Sequence, residues 1–298
     1  MVLTASEVFG RVRVLRGRVL QVDELAGGLT NRTFRVRTDD GGDYVVRFPR
    51  SAATNPVGVD RAYELANTEL AGDAGVGAPF VEAVPDLGAL VVGFVPGRTL
   101  GPADLADSAV ISRVSSQLRA LHRGPQFRGG FDLAAYRRRY VRLAEARGVR
   151  LPAGYVDLDQ RVAALEAALR SAPEPRVPCH NDLVAANLLD DGVRAWLVDF
   201  EYSAMNVATF DLGNLVACSH LPPEPAGAMV SAYFTRTSRR DHARVQAWAL
   251  LSAYTWTAWA ATQDEAPDAW QARQLDAARA GLLGPRYRTT LADVAAGG

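Results

Sequence analysis

At 298 residues with 48% hydrophobic content, the chain is long enough to bury a full core, and its length suits one large domain or two lobes. Its 33 basic and 33 acidic residues cancel, which excludes the basic footprint of a nucleic-acid binder. Every basic residue is an arginine, a bias that takes weight from any single arginine, and the two cysteines, Cys179 and Cys218, are too few for a disulfide framework.

The N-terminal stretch MVLTASEVFGRVRVLRGRVL alternates arginine with apolar residues and never offers the unbroken apolar run of a signal peptide. Up to about residue 94, strand signals alternate with turns: RVLQVDEL, RTFRVRT, the turn DDGGD, then YVVRF. These predict a small antiparallel sheet. A helix follows from Asp60, its N-cap, through Leu70, with Gly72 and Gly75 near its end. ALVVGFVPG, from Ala89, reads as a buried strand broken by Pro96 and Gly97.

Beyond Leu100 the apolar spacing becomes helical in ISRVSSQLRALH, YRRRYVRLAEA, QRVAALEAALR, AMVSAYFTR and DHARVQAWALLSAYTWTAWAAT. The arginine-rich segment from Phe127 to Arg150 reads as a solvated helix face and is given no site. The longest apolar run, Ala247 to Thr262, falls short of the roughly 18 residues of a membrane span and carries Ser252 and three threonines, so a buried helix is expected. A cytoplasmic protein without membrane insertion follows.

The chemistry concentrates in VPCHNDLVAANLLDDGVRAWLVDFEY, Val177 to Tyr202. His180, Asp182 and Asn187 fit HxDxxxxN, the spacing of a kinase catalytic loop, in which the aspartate takes the acceptor hydroxyl proton and the asparagine binds magnesium. Four turn-forming residues then precede VRAWLVDFE, a predicted buried strand that delivers Asp199 much as DFG delivers a magnesium ligand. Taken singly, Asp182 could cap a turn and Asn187 could satisfy loop backbone. His180 reads as structural, a hydrogen-bonding brace for the loop rather than a base.

CHNDLVAANLL with WLVDFEYSAMNVATFDLGNL resembles the choline/ethanolamine kinase branch of the aminoglycoside phosphotransferase superfamily, and GGLTNRTFRV resembles that branch's phosphate loop. The resemblance spans about Gly27 to Gln263. It implies an α+β, bilobal protein-kinase-like fold, with a small antiparallel-sheet lobe at 1–94 and a mostly helical catalytic and acceptor-binding lobe at 95–298. It also implies ATP and Mg²⁺ as cofactors, with transfer of the γ-phosphate to a hydroxyl. Carried over by position, Gly27, Gly28, Leu29, Thr30 and Asn31 would cover the phosphates, although a plain hairpin turn also explains the glycines. Arg47 stands in the place of the kinase strand lysine with Glu64 as its helix partner; the alternative is a mere edge-strand charge. Backbone near Val92 and Phe94 would hold adenine, and Asn187 and Asp199 the metal.

For the acceptor, Trp248, Trp256 and Trp259 fall within roughly an 80° arc at about 100° per residue. Such a stripe serves either as core or as a quaternary-ammonium site. Trp256 and Trp259 match the WxxW of the family's choline site and Tyr202 its DFEY tyrosine, while Glu201 would serve the metal or the acceptor. One departure stands out: LVACSH follows DLGN where the eukaryotic choline kinases carry an acidic residue. Asp211 is expected to cap the helix that follows it and, by the resemblance, to brace the catalytic loop. Choline or ethanolamine is thus the favoured acceptor. An aminoglycoside phosphotransferase is the alternative within the class, and an inactive nucleotide-binding pseudokinase the alternative outside it.

Overall fold

The computed structural model describes residues 4–25, 31–50, 58–263 and 268–296. Thr4 and Glu7 cap one another reciprocally and so start helix α1 (Ala5–Arg11). Three strands follow, β1 (Val19–Leu25), β2 (Asn31–Thr38) and β3 (Asp43–Pro49). The alternation in NRTFRVRT sends Phe34 and Val36 into the core, and Arg37 to solvent. The expected helix is α2 (Arg61–Asp73), its first turn capped by the Asp60 carboxylate, which accepts from the Ala62 and Tyr63 N–H groups.

With β4 (Phe80–Val84) and β5 (Ala89–Gly93), the strands form one antiparallel sheet in the order β1-β2-β3-β5-β4. The inner position of β5 explains its unbroken apolar run. The same order places Arg47 between Thr33 of β2 and Leu90 of β5, on an inner strand, so the reading of Arg47 as an edge-strand charge is overturned. One sheet face packs Phe34, Val36, Val46, Phe48 and Val91 against Val8, Val12 and Leu15. The other carries Leu65, Leu90, Val92 and Val95 together with Trp196 from far along the chain.

Past the short strand β6 (Arg98–Thr99) come α3 (Ser108–His122), α4 (Leu133–Ala146) and α5 (Asp159–Ser171). Strands β7 (Arg176–Cys179), β8 (Leu188–Asp190), β9 (Ala195–Leu197) and β10 (Ala204–Val207) make two small antiparallel sheets, β10-β7 and β6-β8-β9. The strand expected to run on to Asp199 stops at Leu197, because Asp199 takes a left-handed φ of 70° that no strand tolerates. Helices α6 (Ala208–Cys218), α7 (Pro223–Tyr233), α8 (Arg239–Ala260), α9 (Asp268–Leu282) and α10 (Tyr287–Ala295) complete the fold.

The long apolar run is the centre of this helical region: α8 packs against α4, α6, α9 and α10 and is buried along most of its length. Gly213 makes the α6–α8 approach possible, since a Cβ there would lie 2.6 Å from the Trp248 Cβ and 2.8 Å from the Val245 carbonyl oxygen. Among the described residues no helix is long and apolar enough to cross a membrane.

Candidate active site

The loop from His180 to Asn187 leaves β7 and is fixed by bonds to its backbone. His180 N–H and Asn181 N–H each donate to the Asp211 carboxylate at 2.8 Å. Asn214 Nδ2 donates to the Leu183 carbonyl at 3.1 Å, and Ala185 N–H donates to Ser219 Oγ at 2.9 Å. Asn181 has a φ of 65°, unusual for a residue with a side chain, and its amide is held by the Tyr202 carbonyl and by Asn206 Nδ2.

Asp211 does not cap its helix as expected. It lies one turn inside α6, which begins at Ala208, and its fully buried carboxylate also meets His122 Nε2 at 3.0 Å. His122 Nδ1 in turn stands 2.7 Å from the Tyr233 hydroxyl. The His180 ring is a brace: Nε2 lies 2.8 Å from the Val198 carbonyl and Nδ1 accepts from Asp182 N–H at 3.3 Å. That pattern requires the neutral Nε2–H tautomer, and burial, which pushes the His180 pKa down, favours the same state.

Asn187 donates from Nδ2 to the Asp182 carbonyl at 2.9 Å, and its own carbonyl accepts from Val198 N–H at 3.0 Å. Asp182, Asn187 and Asp199 are thereby brought to one place. Burial raises the Asp182 pKa well above the usual carboxylate range; the charges of Asp199 and Glu201 add to this, while Arg47 and the Asn187 amide oppose it. Asp199 and Asn187, with oxygen ligands only, suit a hard divalent cation such as Mg²⁺.

On the sheet side Arg47 gathers three carboxylates. It bonds Glu64 closely, Asp199 Oδ1 at 2.5 Å and Glu201 Oε2 at 3.1 Å. One carboxylate oxygen from each of Glu64, Asp199 and Glu201 lies within 4.8 Å of the other two. Arg61, absent from the sequence reading, bonds Glu64 and stands 3.6 Å from Glu201, whose Oε2 also accepts from Asn31 Nδ2 at 3.0 Å. Burial works against the Arg47 charge, but Asp199, Glu64 and Glu201 outweigh it and raise its pKa. The Glu201 carboxyl is pushed up to about 7, by burial first and the Asp199 charge second, against the pull of Arg47. Gly27, Gly28, Leu29 and Thr30 lie outside the described residues. Val92 is in the core beside Leu65 and Trp196, and Phe94 lies under the Arg35 guanidinium, 3.6 Å from ring centroid to Cζ.

On the helical side Tyr202 and Trp256 meet edge to face, with ring centroids 5.8 Å apart, and Trp259 follows at 6.2 Å from Trp256. Trp256 is buried and Trp259 half-buried. Trp248 is not of this group; its ring packs on Phe210. Sequence reasoning missed two tyrosines of α4. The Tyr140 hydroxyl donates to the Tyr202 hydroxyl at 3.4 Å, and the Tyr136 ring is 5.6 Å from that of Tyr202. Leu133, Tyr136, Tyr140 and Ala144 recur at helical spacing within the segment set aside as an arginine face, so the signal was present. Burial raises the Tyr140 and Tyr202 pKa values, and the nearby Asp182 and Glu201 charges add to both, so these hydroxyls stay protonated beside Asp182.

Residues 21–248 match the model of the phosphotransferase enzyme family. Protein LicA of Haemophilus influenzae is 27% identical over 254 residues, which cover 80% of this chain and 72% of that one. A choline/ethanolamine kinase family protein from Mesorhizobium loti superposes with a TM-score of 0.83 at 29% identity, covering 97% of both chains. A structure of LicA in complex with AMP has the same fold, with a TM-score of 0.73 at 22% identity over 97% of this chain and 98% of that one.

Proposed function

The chain belongs to the phosphotransferase enzyme family and is a small-molecule kinase of its choline/ethanolamine kinase branch, and from that premise we propose that it phosphorylates choline from ATP. The observation that carries this reading is the position of Asp182, which is within electrostatic reach of the carboxylates around Arg47 on one side and of the Tyr140 and Tyr202 hydroxyls on the other.

Asp182 accepts the proton of the acceptor hydroxyl as that oxygen bonds to the γ-phosphorus, while the bond to the ADP oxygen breaks in line. A base with a raised pKa suits this task, since the proton-transfer driving force is greatest when the base pKa lies near the working pH. Mg²⁺, held by Asn187 and Asp199, would neutralise charge on the phosphate oxygens. Arg47 reaches the same place from β3, and its planar guanidinium can grip two phosphate oxygens at once. For adenine, the N–H groups of Gly93 and Phe94 are already committed to the Pro79 and Asp43 carbonyls. The Val95 N–H, without a partner among the described residues, is then the donor for a purine edge.

The preference for choline over ethanolamine rests on what surrounds the cation. Aromatic faces attract a trimethylammonium group, which has no N–H to satisfy, whereas a primary ammonium needs acceptors. LVACSH after DLGN supplies no carboxylate, and Glu201 is engaged by Arg47 and Asn31. The same scarcity of acid disfavours an aminoglycoside polycation, and the convergence of Asp182, Asn187 and Asp199 disfavours a pseudokinase. ADP release measured over choline, ethanolamine, thiamine and aminoglycosides, with and without Mg²⁺, tests the reading. We expect kcat/KM for choline at least about tenfold above ethanolamine and none of the turnover to survive chelation of Mg²⁺. Higher kcat/KM for ethanolamine or an aminoglycoside overturns it.

A further inference from the structure

Asn214, the last residue of DLGN, is fully buried in α6 and makes three bonds. Its Nδ2 donates to the Leu183 carbonyl at 3.1 Å, one residue past Asp182. Its Oδ1 accepts from the Trp256 indole at 2.6 Å and from the Cys218 thiol at 3.7 Å. The orientation of the amide is fixed by its partners: an indole N–H can only donate and a main-chain carbonyl can only accept, so reversing the amide would break both strong bonds.

We propose that Asn214 is a positioning residue that sets the separation between the proton-accepting loop and the acceptor site, by tying the peptide beside Asp182 to the ring of Trp256. The inference rests on the reading of Trp256 as part of the acceptor site. The cross-link is short and its anchors are stiff. Gly213 lets α6 lie directly on α8, and the Trp256 ring is held in turn by Tyr202 and Tyr140 at centroid distances of 5.8 and 6.1 Å. A shift of the amide therefore moves the cation-binding face relative to Asp182 and misplaces the hydroxyl, and small misplacements are costly to phosphoryl transfer. Nothing in the cross-link touches the Arg47 side of the cleft, so nucleotide binding stays independent of it.

Three single variants of this chain and one double variant test this. In Asn214→Ala, the KM for choline should rise about tenfold and kcat should fall, with the KM for ATP changed by less than about twofold. A role confined to folding would lower the apparent kcat and leave both KM values unchanged. The second replaces Trp256 with benzothienylalanine, which keeps the bicyclic ring and lacks the N–H. It should raise the choline KM about fivefold, and adding Asn214→Ala to it should raise that KM by less than about a further twofold. Should Asn214→Ala fail to fold, the benzothienylalanine enzyme decides alone: a wild-type choline KM overturns the inference. Equal effects of Asn214→Ala with and without the indole N–H overturn it too. The third, Trp256→Ala, separates the two levels. If its choline KM is that of wild type, the acceptor reading fails and the inference with it; if that KM rises while the other variants are indifferent, the inference alone fails.

Discussion

Around Arg47, three carboxylates share one guanidinium and Arg61 competes for two of them, whereas around Asp211 three donors converge on one carboxylate, His180 N–H and His122 Nε2 on Oδ2 and Asn181 N–H on Oδ1. The first arrangement is buried and many-partnered. Arg47 can exchange one carboxylate for another, or for a phosphate, without losing all its partners, which suits its proposed role toward the nucleotide. The second is directional. His180 N–H, Asn181 N–H and the His122 ring point at fixed lone pairs of one buried carboxylate, and no rearrangement preserves all three bonds. The cleft thus joins a charge cluster that can be redistributed to a loop that cannot, and phosphoryl transfer needs both.

The largest effect should come from the rigid side. Asp182→Ala is expected to lower kcat by about 10² to 10⁴-fold with ATP affinity little changed, measured by ADP release and nucleotide titration. Unaltered turnover would remove Asp182 from its role.

The comparison itself is tested by neutralising one acid on each side. Asp211→Asn keeps the shape but turns one acceptor oxygen into an NH₂ that faces a backbone N–H donor. It should cost about 1–3 kcal/mol of stability and about tenfold or more in kcat, from a melting curve and a rate on the same preparation. Glu201→Gln should keep kcat within about threefold, because Arg47 retains Glu64 and Asp199. Equal losses in the two variants would erase the distinction between the sides.

The smallest effect is in pH. The Glu201 carboxyl is raised to about 7 from an ordinary 4.5, so the folded enzyme binds its proton more tightly than the unfolded chain does. Stability contributed by that proton is fully present below the unfolded value and is lost as pH rises from about 4.5 through about 7. In that window the Tm of the ligand-free wild type should fall by roughly 2 °C per pH unit on this account. In Glu201→Gln this component should vanish; an unchanged slope would show that Glu201 is not the group responsible.

The loop was legible in the sequence because its chemistry is encoded at fixed local spacing: His180, Asp182 and Asn187 needed no tertiary knowledge. Arg47 with Glu64 was legible only through the family resemblance, and the sheet order then showed that Arg47 is an inner-strand residue. Asp211 looked like a cap because an aspartate before an apolar helical run usually is one, yet three distant donors claim its oxygens. Tyr136 and Tyr140 were hidden by the arginines around them. A helix that presents one face to solvent and the other to a site carries the composition of both, and composition alone favoured solvent. Helices α1, α9 and α10 escaped the sequence reading as well. Thr4 and Glu7 signal the first of these at capping-box spacing, but an alternation of arginine with apolar residues obscured it.

Helix α6 and its C-cap residue Ser219 touch the catalytic loop through Asp211, Asn214 and Ser219, and every one of those bonds ends on main chain: the N–H groups of residues 180, 181 and 185 and the carbonyl of residue 183. The path of the loop is therefore prescribed without reference to the side chains of Val184 or Ala186. Those positions can be exchanged during divergence or by an engineer while the trajectory that presents Asp182 is inherited intact.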